Sequence, residues 1–415
     1  MNYPDSVQYL YSLGNETKVI KLGLETMRTL LAALGNPQTA FRPVHVAGTN
    51  GKGSTCAMIE AGLRSAGIRT GLFTSPHLIH PTERIRIAGI EVSREQFTEA
   101  FGRVHVCAEE LMRQGELEYH PSYFETVTAM AFLLFRSEKV DIAVVEVGLG
   151  GRLDSTNVIE PLVSVITPVD FDHEKFLGNT LESIAFEKAG ILKPGIPAVF
   201  ARQRTECEAV LSRQAEELRC PVTRTSSLPV ENLKADATGS EFDTGGRHVR
   251  CPLAGAHQLE NCLTAIATLD ILGLPIDGID RAVWPGRLEQ VHEDPVLILD
   301  GAHNPAGARA LKEHIERFYA NRPVWLVFGA MRDKSVQEIT ESLFPLAQHL
   351  VLTKPDSPRA ITPESLLEAT QHADAEITHS VPDAVRIALR APAGTVVFLT
   401  GSLYVVGEAR ALLVK

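Results

Sequence analysis

The sequence predicts an α/β protein: a phosphate-loop (P-loop) ATPase domain on a mostly parallel sheet, followed by a smaller Rossmann-like C-terminal domain. Three observations carry this prediction. Short apolar runs alternate with helix-length amphipathic stretches along most of the chain. A turn rich in glycine, with a lysine and hydroxyls, stands between one such run and one such stretch: Gly48-Thr49-Asn50-Gly51-Lys52-Gly53-Ser54-Thr55. The alternation is interrupted at Pro285-Gly286 and Glu293-Asp294-Pro295 and then begins afresh.

Taken in order, residues 41–47 read as a first strand and 56–63 as an amphipathic helix, so the glycines occupy a strand-to-helix turn. Backbone N–H groups and a helix N-terminus hold phosphate oxygens at such a turn. Lys52 supplies positive charge to the outer phosphates, and Ser54 or Thr55 a hydroxyl to a phosphate oxygen or to Mg²⁺. Gly53, between Lys52 and Ser54, departs from the general G-x-x-x-x-G-K-[ST] pattern. Further strands are expected at 69–74, 141–147, 162–168 and 197–200, with helices at 93–112 and 124–135. From 221 to 251 Ser, Thr, Gly and Asp interleave with isolated apolar residues, which predicts short antiparallel strands and loops at an edge. A helix at 257–272 closes the first domain, and strands at 296–299, 324–328, 349–353 and 395–400 build the second. The expected domains are 1–287 and 288–415.

The bulk numbers narrow the function. A length of 415 residues exceeds one ordinary core and implies two to three domains. A net charge of -11 argues against a nucleic-acid surface, and no apolar run approaches the roughly 18 residues of a membrane span. Residues 1–5 lack a basic segment leading into an apolar one, so a cytoplasmic protein is expected. The six cysteines are scattered with no C-x-x-C pair, which argues against a zinc site or a disulfide framework.

Beyond the loop stand Thr74-Ser75-Pro76-His77-Leu78, Tyr123-Phe124-Glu125, Glu146-Val147-Gly148-Leu149-Gly150-Gly151-Arg152-Leu153-Asp154 and Phe171-Asp172-His173. Glu187-Lys188-Ala189-Gly190-Ile191, Pro285-Gly286-Arg287-Leu288-Glu289 and Leu299-Asp300-Gly301-Ala302-His303-Asn304-Pro305 follow. In this order and spacing the motifs resemble those of folylpolyglutamate synthases and their bifunctional dihydrofolate synthase relatives, from about Tyr11 to Tyr404. These ATP-dependent amide ligases share the GTNGKGS form of the loop with the muramyl ligases.

The resemblance implies a ligase that activates a pteroate or folate carboxylate as an acyl phosphate and joins it to L-glutamate. Dihydropteroate, tetrahydrofolate or both fit as acceptors. ATP and Mg²⁺ are the implied cofactors, and small molecules the implied partners, of a monomer that engages neither nucleic acid nor membrane. Lys52, Glu146, His173 and Lys188 are the implied catalytic residues. Ser75, Glu146 and His173 are the implied Mg²⁺ ligands, and Lys188 is implied to carry a carbamate formed with CO₂. Glu146 closes an apolar run, so its carboxylate lies where open parallel sheets bind ligands. Asn50, Gly51, Lys52, Gly53, Ser54 and Thr55, with Asn261, Arg287, Asp300 and His303, are implied to hold the nucleotide. Tyr123, Phe124, Leu153, Asp154 and Ser155 are implied on the folate side, and His303 and Ser402 on the glutamate side. Two rival readings are a muramyl-type ligase acting on a UDP-sugar and an ATP-driven switch protein; the first usually has a domain before the loop, where only about 45 residues stand here.

Overall fold

The computed structural model describes every residue except 15–22, 333–335, 369, 371, 373 and 415. The described chain divides into two compact units, Met1–Leu228 with Glu260–Ala282, and Pro229–Leu259 with Val283–Lys415. The expected α/β architecture is present in both.

The first unit holds strands β1 (Arg42–Ala47), β2 (Thr70–Phe73), β3 (Ile85–Ile87), β4 (Ile90–Glu91), β5 (Ile142–Glu146), β6 (Val163–Ile166), β7 (Ala198–Phe200) and β8 (Val222–Arg224). They form one sheet in the order β4-β3-β2-β5-β1-β6-β7-β8. The six strands from β2 to β8 in that order pair in parallel, and only the β2-β3-β4 edge is antiparallel. The central strand β5 is buried at all five positions because both faces are covered. Ala143 and Val145 enter a core with Phe97, Phe101, Phe132 and Phe135 from helices Arg94–Gln114 and Tyr123–Ser137. A second cluster joins Ala47 and Ile166 to Ile184 and Leu211 of helices Leu181–Ala189 and Thr205–Glu217.

The second unit contains a three-stranded antiparallel sheet of β9 (Glu231–Ala235), β10 (Ser240–Thr244) and β11 (Arg247–Cys251). Gly245 and Gly246, both at positive φ, make the two-residue β10-β11 turn, a conformation glycine adopts without Cβ cost. Its larger sheet comprises β12 (Glu289–Glu293), β13 (Val296–Leu299), β14 (Val324–Phe328), β15 (His349–Leu352), β16 (Ala375–Ile377) and β17 (Val396–Thr400), ordered β12-β13-β17-β14-β15-β16. Only β12 is antiparallel.

Three details differ from the sequence reading. Residues 222–224 form the eighth strand of the first sheet, so the antiparallel segment begins only at Glu231. This segment groups with the second unit, because Ala237 and Ala254 pack into the core of Ile298, Phe328 and Phe398. The stretch around Glu293-Asp294-Pro295 is not a break between domains but the turn from β12 into β13. No described helix is long and apolar enough to cross a membrane.

Candidate active site

The loop after β1 has its predicted conformation for steric reasons. Gly48 and Gly51 sit at φ 146° and 85°, and a Cβ would collide with Thr167 at the first and with Asn261 at the second. The loop is braced from the end of β6. Thr49 and Asn50 donate N–H to the Pro168 carbonyl at 3.0 and 3.2 Å, and the Thr49 hydroxyl donates to Asp170 O at 2.9 Å. Gly51 then starts helix Lys52–Ser65, whose first-turn N–H groups lie at the carboxyl edge of the sheet. The expected helix thus begins four residues earlier than its apolar pattern.

Two lysines anchor on this loop. Lys52 Nζ donates to Thr49 O at 3.2 Å, and Lys188 Nζ donates to Gly48 O at 2.9 Å. Lys188 is carried there by helix Leu181–Ala189, capped by Thr180, whose side chain accepts the Ser183 N–H. It is only 4% exposed. Burial first, and then the charge of Lys52, lower its pKa to about 7; Asp172 and Asp154 pull the other way. Its neutral amine is therefore accessible near neutral pH.

Glu146, at the carboxyl end of β5, is 3% exposed and accepts the Ser75 N–H at 3.1 Å. The turn carrying Ser75 is pinned by Glu83, whose carboxylate accepts the N–H groups of Leu78, Ile79 and His80 at 2.6–2.8 Å. His173 follows β6 in a left-handed conformation at φ 54°, its N–H donating to Asp172 Oδ1 at 2.9 Å. Thr55 is fully buried, and its hydroxyl has no hydrogen-bond partner. A buried carboxylate, an unpaired buried hydroxyl and hard oxygen donors beside a phosphate-type loop fit Mg²⁺ and a nucleoside triphosphate.

On the implied folate side, Phe124 packs against Phe73 at 5.8 Å between ring centroids and lies against Gly148, where a Cβ would meet its ring. Tyr123 is 2% exposed, stacked on Tyr11 at 5.8 Å with the Arg84 guanidinium 5.1 Å from its ring centre. Leu153 and Ser155 are half-buried. Asp154 is buried, and its carboxylate accepts N–H groups from Leu149 and Thr156 at 2.9 and 3.0 Å, shaping the 148–157 loop from within. Burial raises its pKa, against the lowering hydrogen bond from Thr156.

Within the second unit, Asp300 follows directly after β13 and is 6% exposed. Its two oxygens accept the Leu288 and Ala302 N–H groups at 3.1 and 3.0 Å. Burial raises its pKa, and Arg287 opposes that shift. The Arg287 guanidinium lies over Gly301, where a Cβ would collide with it, and donates to Gly286 O at 3.1 Å. Glu289 braces the same turn by accepting the Gly286 N–H and pairing with Arg410. His303 Nδ1 is 2.7 Å from Gly301 O, and Ser402 caps helix Leu403–Leu413 by accepting the Tyr404 N–H at 3.2 Å. The two loops are joined by the Gly401 N–H to Ala302 O bond, 3.1 Å.

Asp172, Glu83, Arg84 and Tyr11 were not singled out by sequence reasoning. Asp172 stood inside the Phe171-Asp172-His173 motif and was legible there. Tyr11 and Arg84 meet Tyr123 only in the folded chain, whereas Glu83 acts on its near neighbours Leu78, Ile79 and His80.

Residues 46–269 match the Mur ligase middle domain, and residues 286–403 match the Mur ligase, glutamate ligase domain. With the phosphate loop at the edge of a parallel sheet, these matches define a Mur-type ligase. The chain is 38% identical over 410 residues to the dihydrofolate synthase/folylpolyglutamate synthase of Bacillus subtilis, covering 94% of this chain and 95% of that protein. The structure of Mycobacterium tuberculosis folylpolyglutamate synthase complexed with ADP and AMPPCP matches with a TM-score of 0.91 at 32% identity, over 100% of this chain and 99% of that one. That of Escherichia coli FolC in complex with DHPP and ADP gives 0.88 at 32% identity, over 99% and 97%. The chain belongs to the dihydrofolate synthase/folylpolyglutamate synthase family of Mur ligases.

Proposed function

We propose that this chain is an ATP-dependent ligase that adds L-glutamate to folates, and to 7,8-dihydropteroate, through an acyl phosphate. One observation carries the reading beyond family membership: two lysines anchor on a loop built to receive phosphate, and a buried carboxylate ends the strand paired with the one that leads into it. In this reading the loop N–H groups and Lys52 hold the β- and γ-phosphates, and the γ-phosphoryl group passes to the acceptor carboxylate with ADP leaving. The glutamate amine then attacks the acyl carbon, and inorganic phosphate departs. Catalysis rests on positioning and charge neutralisation.

Glu146, with Ser75 and His173, is the proposed holder of Mg²⁺, which when bound neutralises the phosphoryl charge. Lys188 is the proposed site of a carbamate. Its neutral Nζ lone pair attacks the carbon of CO₂ and the proton leaves to water, so a cation becomes an anion beside the Mg²⁺ ligands. Asn50, Gly51, Gly53, Ser54, Thr55, Asn261, Arg287, Asp300 and His303 are proposed for the nucleotide. Tyr123, Phe124, Leu153, Asp154 and Ser155 are proposed for the folate, and His303 with Ser402 for glutamate. We further propose domains of 1–287 for ATP and folate and 288–415 for glutamate, in a monomeric cytoplasmic enzyme.

The test is ADP release with ATP, Mg²⁺ and L-glutamate, offering dihydropteroate in one reaction and tetrahydrofolate in another, with products identified by mass. Turnover with both is expected. Turnover with tetrahydrofolate alone restricts the enzyme to polyglutamylation, and silence with both, in protein that binds ATP, defeats the reading.

A further inference from the structure

We propose that His105, Glu109 and His120 form a site for a divalent transition metal, with Zn²⁺ the best match, built from residues that the ligase chemistry does not use. The absence of paired cysteines pointed away from zinc, but folding assembles a different donor set. His105 and Glu109 are one helical turn apart on Arg94–Gln114, so their side chains share a face. His120, in the segment before helix Tyr123–Ser137, folds back onto that face. One ligand atom from each of the three residues lies within 4.8 Å of the others. Glu109 Oε1 is 3.4 Å from His120 Nε2 and 3.9 Å from His105 Nδ1. Donors around a tetrahedral Zn²⁺ at roughly 2.0–2.2 Å stand about 3.4 Å apart, so small side-chain rotations complete the geometry. Two imidazoles and one carboxylate favour a borderline-soft ion over Mg²⁺.

The surroundings are those of a metal site. His120 Nδ1 lies 3.0 Å from the Pro121 carbonyl, a contact in which it donates, so the Nε2 lone pair faces Glu109 Oε1 and the Tyr9 hydroxyl, each 3.4 Å away. The Tyr9 hydroxyl, on helix Tyr3–Ser12, donates to Glu109 Oε1 at 3.3 Å and so orients the carboxylate. His105 is fixed by stacking on Phe101 at 5.5 Å and by the edge of Tyr9 at 4.6 Å. Its Nδ1 is shielded from water and has no hydrogen-bond partner, an arrangement that costs free energy and that a metal ion would relieve. Glu109 is 54% exposed, leaving an open side for ion entry and a fourth, water ligand. A bound ion would tie together helix Arg94–Gln114 and the segment ending at Ser122, which caps the helix that begins with Tyr123 and Phe124.

Full-length protein stripped by chelator and dialysed against Zn²⁺ with millimolar Mg²⁺ present tests this. One equivalent of Zn²⁺ is expected, with affinity falling at least ~100-fold in His105→Ala, Glu109→Gln and His120→Ala. Tyr9→Phe, which removes the hydroxyl beside Glu109 Oε1 and His120 Nε2 but no ligand, is expected to keep the stoichiometry with about 10-fold weaker binding. Co²⁺ in place of Zn²⁺ should give the intense visible bands of four-coordination in wild type and lose them in the three ligand variants, each checked for folding by far-ultraviolet circular dichroism. No bound Zn²⁺, Zn²⁺ binding indifferent to the three substitutions, or only the weak spectrum of six-coordinate Co²⁺ would overturn the proposal and leave an ordinary His–Glu ion-pair cluster.

Discussion

The two parallel sheets end in loop edges of opposite character. The edge of the first unit concentrates charge, with Lys52 and Lys188 both anchored on the Gly48–Thr55 turn and Asp172 and Asp154 within electrostatic reach of Lys188. The edge of the second consumes charge in its own framework. Asp300 spends both oxygens on backbone N–H groups, and Ser402 caps a helix. Like charges buried together cost stability and mark a place where an anion is expected. A self-satisfied carboxylate instead fixes the shape of a loop. The same architecture therefore yields an edge that concentrates charge in one unit and, in the other, an edge whose proposed ligand contacts rest on a framed loop.

The largest effect that sharpens this contrast is expected from Lys52→Ala, which should lower kcat at saturating ATP by about 10³-fold. If Asp300→Asn costs as much while the fold stays intact, the Asp300 charge acts on a ligand rather than on its loop and the contrast breaks. Lys188→Ala should lose about 10²-fold. In addition, wild type should slow when CO₂ is removed and recover with bicarbonate, whereas the variant should ignore both; an unaltered bicarbonate response would detach the carbamate from this residue.

Phe124→Ala should raise KM for the folate about 10-fold with a smaller change in kcat, since an aromatic contact is worth roughly 1 kcal/mol beyond its area. An unchanged KM would place the folate elsewhere.

Lys188 also sets a pH dependence of stability. Its folded pKa of about 7 lies below the unfolded value of 10.5, so between those values the unfolded chain binds more protons and stability rises with pH. Below about pH 7 both states are protonated and the penalty is complete. Lys188→Met should therefore stabilise the protein by about 1–3 kcal/mol at pH 6, and the gain should shrink toward pH 9 in urea titrations. A gain that does not vary with pH would mean that the lysine is not strained by burial. The smallest effect belongs to the framed edge: Ser402→Ala should cost about 1 kcal/mol in thermal unfolding, as loss of a helix cap does.

Much of this was legible beforehand. The strands at 141–147, 296–299 and 324–328 were readable because a buried parallel strand is a near-continuous apolar run, and the phosphate loop because positive φ demands glycine at Gly48 and Gly51. The edge strands β4, β8, β12 and β16, and β3 beside β4, were not, being short, partly exposed and without a distinctive period. Helices Tyr3–Ser12 and Glu25–Ala33 also escaped the reading, although their buried residues Leu10, Met27 and Leu30 join the first core.

The sequence by itself determined the alternation of strand and helix, the phosphate turn and the motif order that marks a Mur-type ligase, since each depends on residues close together in the chain. Tertiary structure alone decided that Lys188 loses its solvent and meets Gly48 from 140 residues away, and that Glu146 meets the Ser75 N–H from 71 residues away. It alone decided that Asp300 braces a loop and that His120 joins His105 and Glu109. The physical reason is common to all four: pKa, ligand geometry and hydrogen-bond satisfaction depend on burial and on partners that only the folded chain supplies.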